Sequence, residues 1–335
     1  MGVLLSIIAI LALGLIAFIG ASAPGLHFFL AVVLPYIAIA VFIVGIVVRV
    51  LKWAKSPVPF RITTTAGQQK SLDWIKQNKL DNPSSFIGAF LRMAFEILFF
   101  RSLFRNTKAE IKDGKKLVYG ADKWLWVFSL AFHYSFLVIV LRHFRFFTEP
   151  IPFFVPILQT FDGFFEIGVP IIYITNIAIV VALGYLFMRR IVNQKVKYIS
   201  LLSDYFPVLL ILAIALTGVV MRYFVKTDLV GIKEIAVGLF SFNPIIPADG
   251  ISVWFYMHLF LVCILLIYFP MSKLVHFAGI FMSPTRNLAN TNRVKRHINP
   301  WNDDFKMHYH TYEEYEDEFR DLMKGAGIPV DKEEK

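Results

Sequence analysis

The sequence predicts an all-α fold: a polytopic membrane helical bundle with six transmembrane helices. Composition is the first reason. Of 335 residues, 57% are hydrophobic and only 17% charged, and phenylalanine alone occurs 34 times, well outside the range of soluble domains. The second reason is grouping. The apolar residues gather into runs of about 20, the length that crosses a hydrocarbon core of about 30 Å as a helix. The third is the distribution of Lys and Arg, which collect at alternate ends of those runs.

The runs cover about 3–21, 27–52, 124–147, 170–188, 204–224 and 252–275. Ala21-Ser22-Ala23 resembles a signal cleavage site, but no Lys or Arg precedes Arg49 to form a basic n-region, so the first run is expected to persist as a span. Met1-Gly2 with Ser6 fits a myristoylation pattern, which adds little to a segment that already spans. From Phe86 to Phe104, apolar pairs such as Phe86-Ile87 and Phe90-Leu91 recur at helical spacing, with Arg92, Glu96 and Arg101 interrupting them. That pattern suits a helix lying in the membrane interface. Three parts follow: an N-terminal transmembrane helix at 1–26, a core at 27–284 with a cytoplasmic or interfacial segment at about 53–123, and a cytoplasmic tail at 285–335.

Orientation comes from the basic residues. Thirteen, from Lys55 to Lys123, lie between the second and third runs, while 148–169 has none and 225–251 has only Lys226 and Lys233. Positive charge marks the cytoplasmic side, so a multi-pass protein of the cytoplasmic membrane with both termini in the cytoplasm is expected. The net charge of +10 is this bias plus attraction to anionic lipid of the bilayer; it gives no support for nucleic acid.

Four of the eight histidines lie inside or at the end of apolar runs: His133 and His143 in the third, His258 and His276 in and just after the sixth. Imidazole in hydrocarbon is costly, so it marks a function by default. His133 and His143 are separated by about 15 Å of helical rise, and His258 and His276 by five whole turns. Antiparallel third and sixth helices would set His133 against His276 on the cytoplasmic side and His143 against His258 on the outer side. Two facing pairs suit bis-histidine ligation of two haems. The 27 Å rise of an unbroken second pair fits the first poorly, and a kink at Pro270 is the expected remedy.

With His-x9-His at 133–143 and His-x17-His at 258–276, the chain resembles the membrane cytochrome b (gamma) subunits of respiratory nitrate reductases. Five helices from about 27 to 276 would match that core. The tail, with Asn292-Arg293-Val294-Lys295-Arg296-His297-Ile298-Asn299-Pro300-Trp301-Asn302 and Thr311-Tyr312-Glu313-Glu314-Tyr315, is similar to the DsrM-type cytochrome b subunits of dissimilatory sulfite-reduction membrane complexes. The resemblance implies two haem b, electron exchange with menaquinone, and a cytoplasmic iron–sulfur partner related to heterodisulfide reductase. It also implies a second quinone-interacting membrane subunit, a periplasmic multihaem cytochrome c and a periplasmic iron–sulfur protein. The lysine that the nitrate reductase family places near its outer haem has no counterpart between 124 and 188.

The remaining readings concern what surrounds the haems. Cys263 is the one cysteine, so the chain holds neither a disulfide nor a four-thiolate cluster, and electrons need a partner. The basic loop and the tail are docking material, and the acidic 313–322 run reads as a helix. Haem propionates call for cations: Arg142 and Arg145 flank His143, and Arg222 ends the fifth run; snorkelling to headgroups is the competing explanation for each. Asp162, Glu166 and Asp204 are the candidate proton acceptors of a quinone site, against the plainer readings of solvated loop charges and a helix cap. His308-x-His310 is expected to be solvated. The rival functions are the cytochrome b of a nitrate or heterodisulfide reductase, and a haem-free scaffold or transporter.

Overall fold

The computed structural model describes residues 2–56, 78–104, 108–165, 170–225, 227–247, 250–289 and 310–331. Among them, six helices are long and apolar enough to cross a membrane: Gly2–Ser22, Pro24–Ala54, Lys123–Phe146, Ile174–Val192, Leu202–Tyr223 and Val253–Met271. The protein is thus an all-α polytopic bundle. The fourth crossing begins four residues later than the apolar run, because Ile172–Tyr173 is spent pairing with Gly163–Phe165 as a short antiparallel ladder.

The sixth crossing is the hub. It packs against the first, second and fifth, while the third packs on the fourth and the fourth on the fifth. One apolar cluster joins Ala21, Leu30 and Ala38 to Tyr256 and Cys263; another joins Ile179, Leu183 and Leu210 to Leu261 and Leu265. Small residues let the helices approach, as membrane packing requires. At Gly45 the fit is closest, since a Cβ there would stand 2.5 Å from the Pro270 Cβ. The outward faces stay apolar, for example Leu11 at 68% exposure on the first crossing, which suits lipid.

Here the expected sixth element is corrected. The helix ends at Tyr268, passes through a 3-10 turn at Phe269–Met271, and breaks at Ser272, which is extended. A second 3-10 turn, Lys273–Val275, then leads into the short helix His276–Gly279. Pro270 has no N–H to continue the ladder, and the Ser272 hydroxyl accepts from Leu274 N–H at 3.1 Å to restart it. The five-turn argument for His258 and His276 therefore does not apply. The break replaces the single unbroken rise that the spacing assumed.

The surface helix covers Phe86–Phe99, starting from a Ser85 cap that accepts from Gly88 N–H. Fourteen residues rise about 21 Å, short of the hydrocarbon thickness. Its exposed face carries Phe86, Ile87 and Phe90. The apolar pattern reaches Phe104, but Phe100 adopts φ 49° and splits off a single turn at Arg101–Phe104. The basic stretch beyond it forms a hairpin, Lys108–Lys112 with Lys116–Gly120, turned at Asp113 and Gly114 with positive φ.

At the other end, the loops hold two helices too short to span, Phe154–Asp162 and Leu229–Phe240. Asp228 caps the latter, and the Tyr36 hydroxyl donates to its Leu239 carbonyl at 2.8 Å. In the tail the acidic run is helical, Tyr312–Gly325, opened by a Thr311/Glu314 capping box.

Candidate functional site

The break at Ser272 turns the His276 ring toward the third crossing. Its centroid lies 6.0 Å from that of His133, with the planes at 83°. At the opposite end of the bundle, His143 and His258 stand 6.5 Å apart with planes 9° from parallel. The structure therefore brings together the four histidines in the two pairs expected from their spacing.

Each imidazole is held through Nδ1. His133 Nδ1 meets the Ser129 carbonyl at 2.7 Å and His143 Nδ1 meets the Ile139 carbonyl at 2.7 Å, each one turn back along its own helix. His276 Nδ1 meets the Lys273 carbonyl at 3.0 Å. His258 Nδ1 meets the Thr217 hydroxyl at 2.9 Å, while that hydroxyl donates to the Ile214 carbonyl. A carbonyl can only accept, so Nδ1 carries the proton and Nε2 presents its lone pair. That is the tautomer a metal-ligating histidine needs, with the Nδ1 partner fixing its ring.

The residues fit haem. Two imidazoles on opposite sides of one iron, each with a metal–nitrogen bond of about 2.0 Å, stand roughly 6.3 Å apart by centroid. Both observed separations bracket that figure. Among the described residues no three His, Cys, Asp or Glu side chains converge as a metal site. A pair of imidazoles alone would suit a metal whose other donors come with it, as a porphyrin's do.

Near His143 the cations divide. The Arg142 side chain is 9% exposed and pairs with Asp162 at 3.3 Å; it donates to Thr175 Oγ1 and Asn176 Oδ1, both at 3.0 Å. Its Nε is buried and unpartnered. Tyr173 lies between two guanidiniums, with Arg142 3.7 Å and Arg222 4.3 Å from the ring centroid. Arg222 donates to the Ile171 carbonyl. Arg145 rests on the Phe146 ring at 5.7 Å and has no ion pair among the described residues.

Asp162 is buried, not a solvated loop charge: one oxygen accepts from Thr175 N–H at 2.9 Å and the other from the Thr175 hydroxyl at 2.6 Å. Asp204 caps the fifth crossing by accepting from Leu201 N–H, and it pairs with Lys273 at 2.8 Å. Lys273 is the residue whose carbonyl holds His276, so Asp204 belongs to the neighbourhood of that pair. Glu166, His297 and His308 lie outside the described residues. His310 is exposed, 3.9 Å from Glu318. His27 bonds the Ala21 carbonyl through Nε2 and stacks on Tyr256 at 4.2 Å.

Two contributors escaped the sequence reading. Thr217 is one of few hydroxyls in an apolar run, which was its one available signal. Phe100 packs edge-on to the His133 ring at 4.8 Å, and nothing in its spacing announces that.

Comparison with known proteins agrees with this layout. The profile of the nitrate reductase gamma subunit family matches residues 104–297, a stretch that contains all four histidines. A protein of Archaeoglobus fulgidus named Hdr-like menaquinol oxidoreductase cytochrome b-like subunit is 44% identical over 276 residues, 81% of this chain and 82% of its own length. One of the same name from Archaeoglobus profundus is 44% identical over 274 residues, 80% of this chain and 81% of its own. Six crossings, two histidine pairs and these matches identify the chain as a member of the nitrate reductase gamma subunit family.

Proposed function

We propose that the chain is a dihaem cytochrome b that moves electrons between menaquinone or menaquinol and a cytoplasmic iron–sulfur partner related to heterodisulfide reductase, within dissimilatory sulfur metabolism. The observation that carries this reading is the pairing of four imidazoles across one bundle, each fixed at Nδ1 with Nε2 left as the free lone pair. The names of the Archaeoglobus relatives support the quinone and the partner. Cys263 as the one cysteine requires that iron–sulfur chemistry reside elsewhere. The second membrane subunit and the periplasmic cytochrome c and iron–sulfur protein follow from the same resemblance.

Bound haem b supplies reversible one-electron chemistry, which lets the two-electron reaction of a quinol be divided. The chain's own work is to position it. His133 and His276 would hold the haem on the cytoplasmic side, His143 and His258 the outer one. Arg145, the unpartnered Nε of Arg142 and Arg222 would meet propionates. Asp162 has both oxygens engaged, so we assign it to the scaffold that fixes Arg142. Asp204 likewise steadies Lys273 beneath His276. Glu166 then stays as the acidic candidate for a proton acceptor on the outer side.

The test is a haem-extraction assay with reduced-minus-oxidised spectra on wild type and four alanine variants. Two non-covalent b haems per chain are expected. His133→Ala and His276→Ala should lose the same one, and His143→Ala and His258→Ala the other. Folded wild-type protein purified without haem would sink the proposal and favour the haem-free scaffold or transporter.

A further inference from the structure

A groove of ≈ 640 Å³ opens on the side of the second crossing, next to the end of the sixth. Its floor is a stripe of small and branched residues at helical spacing, Ala40, Val41, Val44, Gly45 and Val48. From Ala40 to Val48 the apolar stripe rises about 12 Å, enough for the first ten or so carbons of an extended acyl chain. Pro270 closes one wall, seated against Gly45. The basic end is capped by Arg49 and Lys52.

Arg49 is the informative residue. Its Nε is buried and has no hydrogen-bond partner, and its guanidinium leans on the Trp53 ring at 5.5 Å. No ion pair of Arg49 or Lys52 occurs among the described residues. A buried unsatisfied N–H costs about 1–3 kcal/mol unless an acceptor arrives from outside the chain. The groove runs along a helix long and apolar enough to cross a membrane, where a lipid is the molecule at hand to bring that acceptor. Among the described residues the lining includes two cations and no carboxylate, imidazole or hydroxyl. Such a set neutralises a phosphate but offers no base for the proton of a quinol.

We infer that this groove is a binding site for one anionic phospholipid, its phosphate on Arg49 Nε and Lys52 and one acyl chain along Ala40–Val48. The site lies one layer from the inner histidine pair. Trp53, which carries the Arg49 guanidinium, would touch a Cβ placed at Gly279 at 3.4 Å, and Gly279 ends the short helix that begins with His276. A seated lipid would therefore brace the segment on which His276 is mounted.

The experiment uses the full chain in nanodiscs of phosphatidylcholine with a minor fraction of phosphatidylglycerol, released into gentle detergent and weighed by native mass spectrometry. Wild type should retain one phosphatidylglycerol. Arg49→Gln with Lys52→Gln should retain it roughly thirtyfold less, in line with about 1 kcal/mol for each cation near an anionic surface. The charge-preserving pair Arg49→Lys with Lys52→Arg should keep a measurable share, which separates lost charge from a damaged fold. Lys55→Gln, outside the groove, should behave as wild type. Retention by the Gln pair equal to wild type, or equal retention of phosphatidylcholine, overturns the inference. So does a retained mass equal to a menaquinone, and so does no retained lipid in wild type, which would mean that the cations only snorkel.

Discussion

Thr217 holds His258 differently from the way the other three imidazoles are held. Its hydroxyl spends its proton on the Ile214 carbonyl and accepts from Nδ1, a side-chain partner where the others have backbone. Such an acceptor orients the ring and makes Nε2 a better donor to iron. Thr217→Val would leave a buried N–H unsatisfied, at a cost of about 1–3 kcal/mol. We expect lower occupancy of the outer haem and a raised midpoint potential for it alone, with Thr217→Ser restoring both; redox titration reads this. An unchanged potential in the valine variant would remove Thr217 from the role. The histidine pairs were legible because residue type marks them in apolar runs and antiparallel order sets early against late. Spacing gave depth for His133 and His143 on one unbroken helix, but not for His276 beyond the break. Thr217 was not, since the contact spans 41 residues and two helices. The burial of Asp162 was hidden for the same reason: its partners Arg142 and Thr175 come from other crossings.

Among the elements, the surface helix shows best how local pattern and tertiary contact divide the work. Its apolar face was readable from the spacing of Phe86, Ile87 and Phe90. Its end was not, because the stop comes from the third crossing. Trp126 Nε1 donates to the Phe99 carbonyl at 2.6 Å and the Tyr134 hydroxyl to the Leu98 carbonyl at 2.8 Å, taking two of the orphan acceptors at a helix C-terminus. The chain then turns through the left-handed conformation at Phe100, rare for a bulky residue, and lays that ring against His133. A surface element is thus fastened to the inner pair. Trp126→Phe with Tyr134→Phe should weaken that seat by roughly 1 kcal/mol for each hydrogen bond. Limited proteolysis between about 78 and 122 should quicken several-fold while the outer pair's spectrum stays put. Equal cleavage rates would show that the two bonds do not hold the helix. The break at Ser272 follows the same division: Pro270 announced a disturbance, but a kinked continuous helix and a broken one read alike until the groove at Gly45 is seen.

For the whole molecule, charge and helix count together predict a topology that each alone leaves open. The six crossings found among the described residues would return the chain to its starting side, and the Lys-rich stretch before the third crossing predicts which side that is. The surface helix is decisive, because a seventh crossing there would reverse everything after it. Its length of 14 residues and the anchoring of its end to the third crossing both argue that it stays at one surface. Cysteine chemistry can test this cleanly, since Cys263 is the one native thiol and is buried. In a Cys263→Ala background, single cysteines at the exposed positions Ser56, Lys115 and Ser241 would report the side of each loop to a membrane-impermeant maleimide. We expect Ser241→Cys to label in intact cells, and Ser56→Cys and Lys115→Cys only after lysis. Opposite labelling of the positions at 56 and 115 would make the surface helix a crossing. It would move the hairpin and both histidine pairs to reversed sides, and the proposed exit of electrons toward a cytoplasmic partner would fail with it.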